Sequence, residues 1–414
     1  MKRFVIFYVV AIFLLTALFL VLPSCGGESS GETLYVYNWG EYISDGSEGS
    51  LDTNAEFEAY CREELGRDVT VNYSTFSSNE DMYAKISSGS AFYDVVIPSD
   101  YMIERMVAED MLLPLDLSKI PNYQYIDDRF KGDNVYYEDD SDNVYSVPYF
   151  YGMVGIIYNA DIVSEDDEQI GSWDLMWDAD YKGDILQFNN SRDAFGTALY
   201  SLGYDVNNAT EAQWREALEL LKTQKDVVQG YVMDEIFNKM KSGSAAVASY
   251  YAGDFLSMYE DNDSLAFFYP EEGTNSYIDA MCIPKTSRNQ ELAMLYINFM
   301  CSKEIGIANA EYTYYASPLT TVVEDEGYQE TMSEVHEDAY EILYGEKARE
   351  VNTQAYLNLS ADRLILLNDL WEELKVESSI GQGIYVCCGV ILVALIALAV
   401  YQILKKRRWA KLYD

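Results

Sequence analysis

The chain has 414 residues, a length that suits two medium-sized domains with hydrophobic cores. Its 69 acidic residues outnumber its 28 basic ones, and the formal net charge is −41 at pH 7. Nucleic acid is therefore not an expected partner, because phosphate binding requires a positively charged surface. A negative surface instead concentrates cationic ligands, although it also serves solubility alone.

Residues 1–25 have the pattern of an export signal. Two basic residues precede an apolar run from Phe4 to Leu22, and small residues surround Cys25. This order of basic, apolar and small residues directs a chain out of the cytoplasm. The two glycines after Cys25 resemble a bacterial lipoprotein site, so the sequence predicts lipidation of Cys25. An uncleaved signal anchor is the alternative.

Between residues 33 and 376, short apolar runs alternate with amphipathic stretches. The short runs predict strands at Leu34–Tyr37, Val69–Tyr73, Asp94–Ile97, Gly152–Tyr158, Asp184–Phe188, Ala245–Tyr250 and Ile278–Ile283. The amphipathic stretches predict helices at Asp81–Ser88, Glu211–Thr223, Glu235–Lys241, Glu291–Met300 and Arg363–Lys375. Strands that alternate with helices predict an α/β fold with mostly parallel sheets and helices on both faces.

The carboxyl ends of these strands are the expected place for a binding site. In open α/β sheets, ligands bind just beyond the carboxyl ends of the strands. This rule points to Asn38–Tyr42 after the first strand and to Pro98–Tyr101 after the third. Both segments combine a carboxylate with aromatic rings, and that combination suits an organic cation, which is attracted to π faces as well as to negative charge.

Residues that would indicate catalysis or metal binding are scarce. His336 is the single histidine, and the six cysteines form no CxxC pair. The sequence has no phosphate-binding loop, and no nucleophile–base constellation is recognisable in it. We therefore expect a binding protein and not an enzyme, with no metal and no cofactor. Cys61, Cys282 and Cys301 are expected to be buried thiols, with a disulfide among them as the alternative.

The C-terminal region has the pattern of a membrane-spanning helix. Residues 384–404 are almost wholly apolar and are long enough to cross a hydrocarbon core of about 30 Å. The tail 405–414 begins with four basic residues, and the positive-inside rule places that end in the cytoplasm. The residues between the two apolar segments are therefore expected outside the cell membrane and tethered to it.

Six motifs, in order along the chain, resemble those of bacterial spermidine/putrescine-binding proteins. These motifs are Leu34–Ile43, Ser78–Lys85, Tyr93–Ser99, Val147–Tyr149, Trp173–Leu175 and Tyr277–Pro284. The resemblance implies a type II periplasmic-binding-protein fold, in which two α/β lobes enclose a ligand cleft. It also implies that the protein binds a polyamine and delivers it to the permease subunits of an ABC importer.

The resemblance further implies how the chain is divided. One lobe would comprise residues 33–146 with 280–317, and the other residues 147–279 with 318–376. The remaining segments would be a signal or lipoprotein-type segment 1–25, a linker 26–32, a transmembrane helix 384–404 and a cytoplasmic tail 405–414.

Positions that match the family's ligand contacts form the candidate site. They are Trp39, Glu41, Tyr42, Ser99, Tyr101, Asn190, Asp193, Tyr250, Tyr277, Asp279 and Tyr315. Carboxylates at fixed separations would pair with the ammonium groups of a polyamine, and aromatic walls would contact its methylene groups. Asn190 replaces an acidic contact of the family, and Tyr277 replaces a stacking Trp. The loss of charge at Asn190 leads to the hypothesis that the chain prefers putrescine, or binds the secondary amine of spermidine less strongly.

Two other functions remain open on the sequence. A membrane-tethered sensory domain for amines would use the same cleft, but the ten-residue cytoplasmic tail is too short for a signalling domain. A binding protein for another cation or a metal is the second alternative, because iron-binding relatives of this general fold use pairs of tyrosines. Acidic residues interleaved with Trp and Tyr favour an organic amine.

Overall fold

The computed structural model describes residues 31–132, 143–345, 348 and 350–379. The predicted export segment with Cys25 and the predicted membrane helix 384–404 lie outside the described residues. Within the described ranges, no helix combines the length and the apolar character that a membrane span requires.

Ten strands form one sheet in the described part of the chain. They are β1 (Glu32–Trp39), β2 (Val69–Phe76), β3 (Val95–Val96), β4 (Ser146–Asn159), β5 (Ile185–Phe188), β6 (Val228–Val232), β7 (Val247–Tyr251), β8 (Leu265–Phe268), β9 (Thr274–Cys282) and β10 (Thr353–Ala355). Their order across the sheet is β2-β1-β3-β9-β4-β7-β5-β6, with β10 paired to β9 and β8 paired to β4.

Thirteen α-helices accompany the sheet in the described ranges. They are α1 (Thr53–Leu65), α2 (Asn79–Ser87), α3 (Asp100–Ala108), α4 (Ser191–Ser201), α5 (Glu211–Gln224), α6 (Glu235–Lys241), α7 (Ala252–Tyr259), α8 (Gln290–Met300), α9 (Lys303–Thr313), α10 (Thr320–Val323), α11 (Glu326–Val335), α12 (Ala339–Tyr344) and α13 (Ala361–Ser379). Short 3₁₀ turns complete several of the connections.

The sheet has two halves, each with parallel strands at its centre. In the first half β1 pairs in parallel with both β2 and β3, and in the second half β5 pairs in parallel with both β6 and β7. The sequence therefore predicted the parallel pairing within each half correctly. Because βα units place every helix after the carboxyl end of its strand, each half presents the starts of several helices along one edge.

The long strands β4 and β9 join the two halves. They pair with each other in antiparallel register, from Ser146 opposite Cys282 to Met153 opposite Ser276, with an irregularity between Pro148 and Phe150. β9 also pairs with β3, and β4 also pairs with β7, both antiparallel. The complete sheet is thus mixed, and its antiparallel centre is a feature that the sequence did not predict.

The strands and helices predicted between residues 33 and 376 all overlap elements of the structure. Helix α13 carries its apolar stripe as expected: Leu367, Leu370 and Leu374 are buried against the second half. Ser78 precedes α2 and caps it, because its side chain accepts a hydrogen bond from the backbone N–H of Asp81 at 3.1 Å. The cysteines 61, 282 and 301 are buried, free thiols, which confirms the preferred interpretation.

Candidate ligand-binding site

A cleft lies where the carboxyl ends of the parallel strands of both halves meet. Each of six strands contributes a wall residue within five positions of its end. These residues are Trp39 at the end of β1, Glu80 after β2, Asp100 after β3, Asp193 after β5, Asp234 after β6 and Asp254 after β7. The joining strand β9 adds Asn275, Tyr277 and Asp279, which are every second residue of the strand and therefore lie on the same face of the sheet. The cleft is therefore built by both halves together.

The charged groups of the cleft are unbalanced. Its acidic residues are Glu80, Asp100, Asp193, Asp234, Asp254 and Asp279. Among the described residues that line it, Arg192 is the single basic one. Burial raises the pKa of each of these six carboxyl groups, because a desolvated carboxylate is costly without a cation. The arrangement therefore favours a ligand that brings positive charge into the cleft.

Asp279 is the carboxylate with the strongest hydrogen-bond support. It accepts one bond from the Ser99 hydroxyl at 2.6 Å and another from the Tyr42 hydroxyl at 2.7 Å. Burial raises its pKa to about 6, and these two donors oppose that rise. Asn79 positions Ser99, because its amide group both donates to the Ser99 hydroxyl and accepts from the Ser99 backbone N–H. At neutral pH Asp279 is thus mostly charged before any ligand binds.

Asp193 forms a second carboxylate centre at the start of α4. It accepts hydrogen bonds from the Tyr251 hydroxyl at 2.9 Å and from Asn190 Nδ2 at 2.8 Å. Asn190 also caps α4 by accepting from the Asp193 backbone N–H at 2.8 Å. The charge of Asp193 adds to burial in raising the pKa of Glu80, which accepts from the Tyr101 hydroxyl at 3.0 Å.

Asp254 forms a third centre in the first turn of α7. The Tyr315 hydroxyl donates to it at 2.7 Å. Burial, with smaller contributions from the charges of Asp234 and Glu41, raises the pKa of Asp254 to about 8 against the lowering effect of the Tyr315 bond. Without a bound cation, Asp254 is therefore mostly protonated at neutral pH.

Aromatic rings separate the three carboxylate centres. Tyr42 and Tyr315 pack edge to face at a centroid distance of 4.6 Å, and each donates its hydroxyl hydrogen to a different centre. Tyr251 and Tyr277 pack in the same way at 5.2 Å, beside Asp193. Walls of this kind offer π faces to ammonium groups and apolar surface to the methylene groups between them.

Arg192 is held in the wall of the cleft by groups outside the three centres. It is buried, and one of its amino groups donates to the Leu357 carbonyl at 3.1 Å and to the Asn207 side chain at 3.2 Å. Its guanidinium group lies over the Tyr356 ring at 4.5 Å. These contacts fix one positive charge near Glu80 and Asp193 and leave Asp254 and Asp279 without a basic neighbour in the cleft.

Some buried polar atoms of the cleft have no hydrogen-bond partner in the described part of the chain. They are the indole nitrogen of Trp39, Oδ2 of Asp100, Nε of Arg192, the amide oxygen of Asn275 and the hydroxyl of Tyr277. Asn275 is 4% exposed and Tyr277 is 8% exposed. An unpaired buried acceptor costs free energy, and a ligand with N–H groups would remove that cost.

Ten of the eleven predicted site residues line this cleft, namely Trp39, Tyr42, Ser99, Tyr101, Asn190, Asp193, Tyr250, Tyr277, Asp279 and Tyr315. Glu41 is the exception: its side chain is exposed, and its backbone has a positive φ of 48°. Its charge still acts on Asp254 from outside the lining.

Sequence reasoning missed several residues of the lining. Chief among them are Glu80, Asp234, Tyr251, Asp254, Asn275 and Tyr356. The strand-end rule would have indicated Glu80, because β2 was predicted. It could not indicate Asp234, because β6 was not predicted. The rule would also have indicated Asp254, because β7 was predicted and Asp254 follows it in the first turn of α7.

The carboxylates are spread along the cleft and are not gathered at one point. In the residues that the structure describes, no group of three or more His, Cys, Asp or Glu side chains is arranged to hold a metal ion. A spread of single carboxylates, separated by rings, matches an extended organic cation better than a compact ion.

Comparison with known proteins agrees with this chemistry. Residues 55–333 match the family model described as "Bacterial extracellular solute-binding protein". The chain is 31% identical over 296 residues to the spermidine/putrescine-binding periplasmic protein of Salmonella typhimurium, an alignment that covers 71% of this chain and 80% of that protein.

Two solved structures are similar over nearly their whole length. One, from Listeria monocytogenes, is provisionally assigned as a spermidine/putrescine ABC transporter; it is 35% identical, has a TM-score of 0.72, and the match covers 83% of this chain and 99% of that one. The other is the spermidine/putrescine ABC transporter substrate-binding protein of Streptococcus pneumoniae, with 32% identity, a TM-score of 0.64 and coverage of 84% and 99%.

Proposed function

Because the chain belongs to the bacterial extracellular solute-binding protein family, we propose that it binds a polyamine outside the cell membrane and delivers it to the permease of an ABC importer. The observation that carries this proposal is the composition of the cleft, where six carboxylates face one guanidinium between aromatic walls. The similar proteins with spermidine and putrescine in their names are consistent with that ligand.

The chemistry of a polyamine matches the cleft group by group. Each ammonium loses its hydration on entry and requires a carboxylate in return. Asp279, Asp193 and Asp254 provide these partners at three separate places. The methylene groups gain from contact with the rings of Tyr42 and Tyr277, and ammonium groups over such rings gain about 0.5–2 kcal/mol each.

The binding domain would act while attached to the membrane. Lipidation at Cys25 and a helix over 384–404, both outside the described residues, are the proposed anchors. Their support is the sequence pattern alone: an export-type segment before Cys25, and a long apolar run followed by basic residues. A tethered receptor stays close to its permease, which raises its effective concentration there.

Isothermal titration calorimetry tests the proposal directly. The purified full-length chain, kept in mild detergent, is titrated with putrescine, spermidine and spermine, and with a ferric chelate as the control for a metal-binding function. We expect saturable binding of at least one polyamine with a stoichiometry of one, and no heat of binding with iron. A folded sample that binds no polyamine would refute the proposal, and saturable binding of iron would favour the metal alternative.

A further inference from the structure

We infer that Glu104 holds the two halves of the protein together around a bound ligand and thereby sets how slowly the ligand leaves. Glu104 is a positioning residue: its carboxylate contacts the backbone of Asn358, and it does not line the cleft in the described part of the chain. The inference rests on the proposed function, because it assigns a kinetic role to a contact beside the same cleft. Neither residue belongs to the set that the sequence resemblance identified.

The first step is that residues 353–358, which we call the strap, are fixed to the second half. The strap begins as β10, which pairs with β9. The Tyr200 hydroxyl of α4 donates to the Gln354 carbonyl at 3.2 Å. The Asn207 side chain accepts from the Leu357 backbone N–H at 2.9 Å and donates to the carbonyl two residues earlier at 2.8 Å. The strap therefore moves with the second half.

The side chain of Tyr356 strengthens this attachment. Its ring packs on α4, where Gly196 leaves room for it: a Cβ atom at Gly196 would overlap the Tyr356 hydroxyl. The guanidinium of Arg192, also in α4, covers the ring at 4.5 Å. Tyr356 is buried by these contacts, so the strap has a rigid position at the edge of the cleft.

The second step is that one face of α3, in the first half, meets the strap. Glu104 Oε2 accepts a hydrogen bond from the Asn358 backbone N–H at 2.6 Å. The Tyr101 ring meets the Tyr356 ring edge to face at a centroid distance of 6.2 Å. Tyr101 and Glu104 are three residues apart in α3 and so lie on the same face of the helix. A backbone N–H bound to a carboxylate forms a stronger hydrogen bond than one bound to a neutral oxygen.

The third step is that this bond joins the halves only while they are close together. Their close approach is also visible at Gly40, after β1, where a Cβ atom would lie 2.9 Å from Oδ2 of Asp234, after β6. Because α3 belongs to the first half and the strap to the second, separation of the halves breaks the bond between Glu104 and Asn358. The bond therefore stabilises the closed arrangement alone, and it slows the release of any ligand enclosed there.

The test is stopped-flow fluorescence on the full-length chain, with putrescine and spermidine as ligands and Trp39 in the cleft as a reporter. Glu104→Ala should raise the dissociation rate by about tenfold and leave the association rate within about twofold, because the bond forms after the ligand has entered. The factor should be the same for both ligands, since Glu104 touches neither. Glu104→Gln keeps an acceptor oxygen and should stay within about threefold of the unmodified rate.

The matched control is Glu56→Ala. Glu56 is exposed on α1 of the first half, so this substitution removes the same negative charge without touching the strap. It should change neither rate. Circular dichroism verifies the fold of each variant. Glu104→Met, which has a side chain of similar length and no oxygen, replaces Glu104→Ala if the alanine variant does not fold.

The outcomes separate this inference from the proposed function. No binding of any polyamine by the unmodified chain would refute the proposed function and the kinetic role with it. Polyamine binding with an unchanged dissociation rate in Glu104→Ala would overturn the kinetic role alone. A loss confined to the association rate, or to one of the two ligands, would overturn it as well. Equal effects of Glu104→Ala and Glu104→Gln would show that the charge acts and not the hydrogen bond, and would also contradict it.

Discussion

Asp279 and Asp254 are the same kind of residue in two walls of one cleft, yet their surroundings give them different protonation. Asp279, on the strand that joins the halves, receives hydrogen bonds from two hydroxyl groups, and its pKa is about 6. Asp254, on the second half, receives one hydroxyl bond and faces other acids, and its pKa is about 8.

Because of this difference, Asp279 attracts cations in general, whereas Asp254 distinguishes between ligands. Asp279 is charged at neutral pH before the ligand arrives, so it draws any cation into the cleft. Asp254 is mostly neutral at neutral pH until a cation replaces its proton. A ligand that reaches Asp254 must therefore provide an ammonium at that place, and a ligand that does not reach it leaves Asp254 neutral at little cost.

The largest expected effect on polyamine binding comes from removal of the Asp279 carboxylate. Asp279→Ala should weaken polyamine binding by about 3–5 kcal/mol, because an ammonium would be buried without its partner. Titration calorimetry measures the loss, with Glu330→Ala on the exposed face of α11 as the control. An unchanged affinity in the Asp279 variant would remove that residue from the site.

The protonated carboxyl group of Asp254 should make spermidine binding depend on pH. Because the pKa of Asp254 in the free protein is about 8, well above its ordinary value, binding must expel its proton at lower pH. Affinity should rise between pH 6 and pH 8 by up to about 1.4 kcal/mol per pH unit and then level off. The charged and titratable groups that face Asp254 are Glu41, Asp234, Tyr250, Tyr277 and Tyr315.

The same proton should appear in the heat of binding and in the stability of the free protein. At pH 7, the released proton is taken up by the buffer, so binding enthalpies measured in phosphate and in Tris should differ in proportion to the number of protons released and to the difference between the ionisation enthalpies of the two buffers. Asp254→Asn should remove most of that difference. Since the folded state binds this proton more tightly than the unfolded chain, stability without ligand should fall as pH rises from about 4 to about 8. A flat affinity profile for the unmodified chain would contradict the assigned protonation of Asp254.

The aromatic ring of Trp39 should contribute less binding free energy than the carboxylates of Asp279 and Asp254. Trp39 packs on Phe76 at a centroid distance of 4.5 Å and lines the cleft. Trp39→Ala should cost about 0.5–2 kcal/mol of binding energy through the lost π face, and Trp39→Phe should recover part of it. Competition binding against a labelled polyamine measures both variants. Equal losses in the two variants would show that a ring at this position contributes nothing.

The smallest expected effects come from single hydroxyl groups. Tyr42→Phe removes one of two donors from Asp279, and Tyr315→Phe removes the side-chain donor of Asp254. Each should weaken binding by about 1 kcal/mol. Tyr42→Phe should also raise the pKa of Asp279 and introduce pH dependence near neutrality, whereas Tyr315→Phe should move the existing dependence to higher pH. Affinities measured from pH 5 to pH 9 distinguish the two variants. Identical pH profiles would contradict the proposed difference in protonation between Asp279 and Asp254.

Local patterns were sufficient to predict some elements of the fold and not others, such as β6. The strands β1, β2 and β5 are short apolar runs, and α5 and α13 have apolar positions at helical spacing, so their sequences contain the signal. The antiparallel pairing of β4 with β9 has no such signal, because it joins segments more than a hundred residues apart. Pairing at that distance depends on the packing of the whole chain and not on the spacing of residues within either strand.

The site was predictable where a motif marks it. Trp39, Ser99 and Asp279 belong to segments whose order and spacing resemble a known family, and all three line the cleft. Asp254 lies outside those segments, and its contact with Tyr315 spans 61 residues. Glu41 belongs to a matching motif but does not line the cleft. A motif match does not fix the direction of a side chain on a backbone with positive φ.

The irregular pairing of β4 and β9 between Pro148 and Phe150 lies directly beside Asp279, which pairs with Phe150. If the two halves rotate against each other about this two-stranded ribbon, Asp279 lies on the ribbon itself, whereas Asp254 lies outside it at the start of α7. We therefore expect Asp279 to move less than Asp254 when the halves separate. A ligand that is still paired with Asp279 would then be recaptured if the halves close again before it leaves.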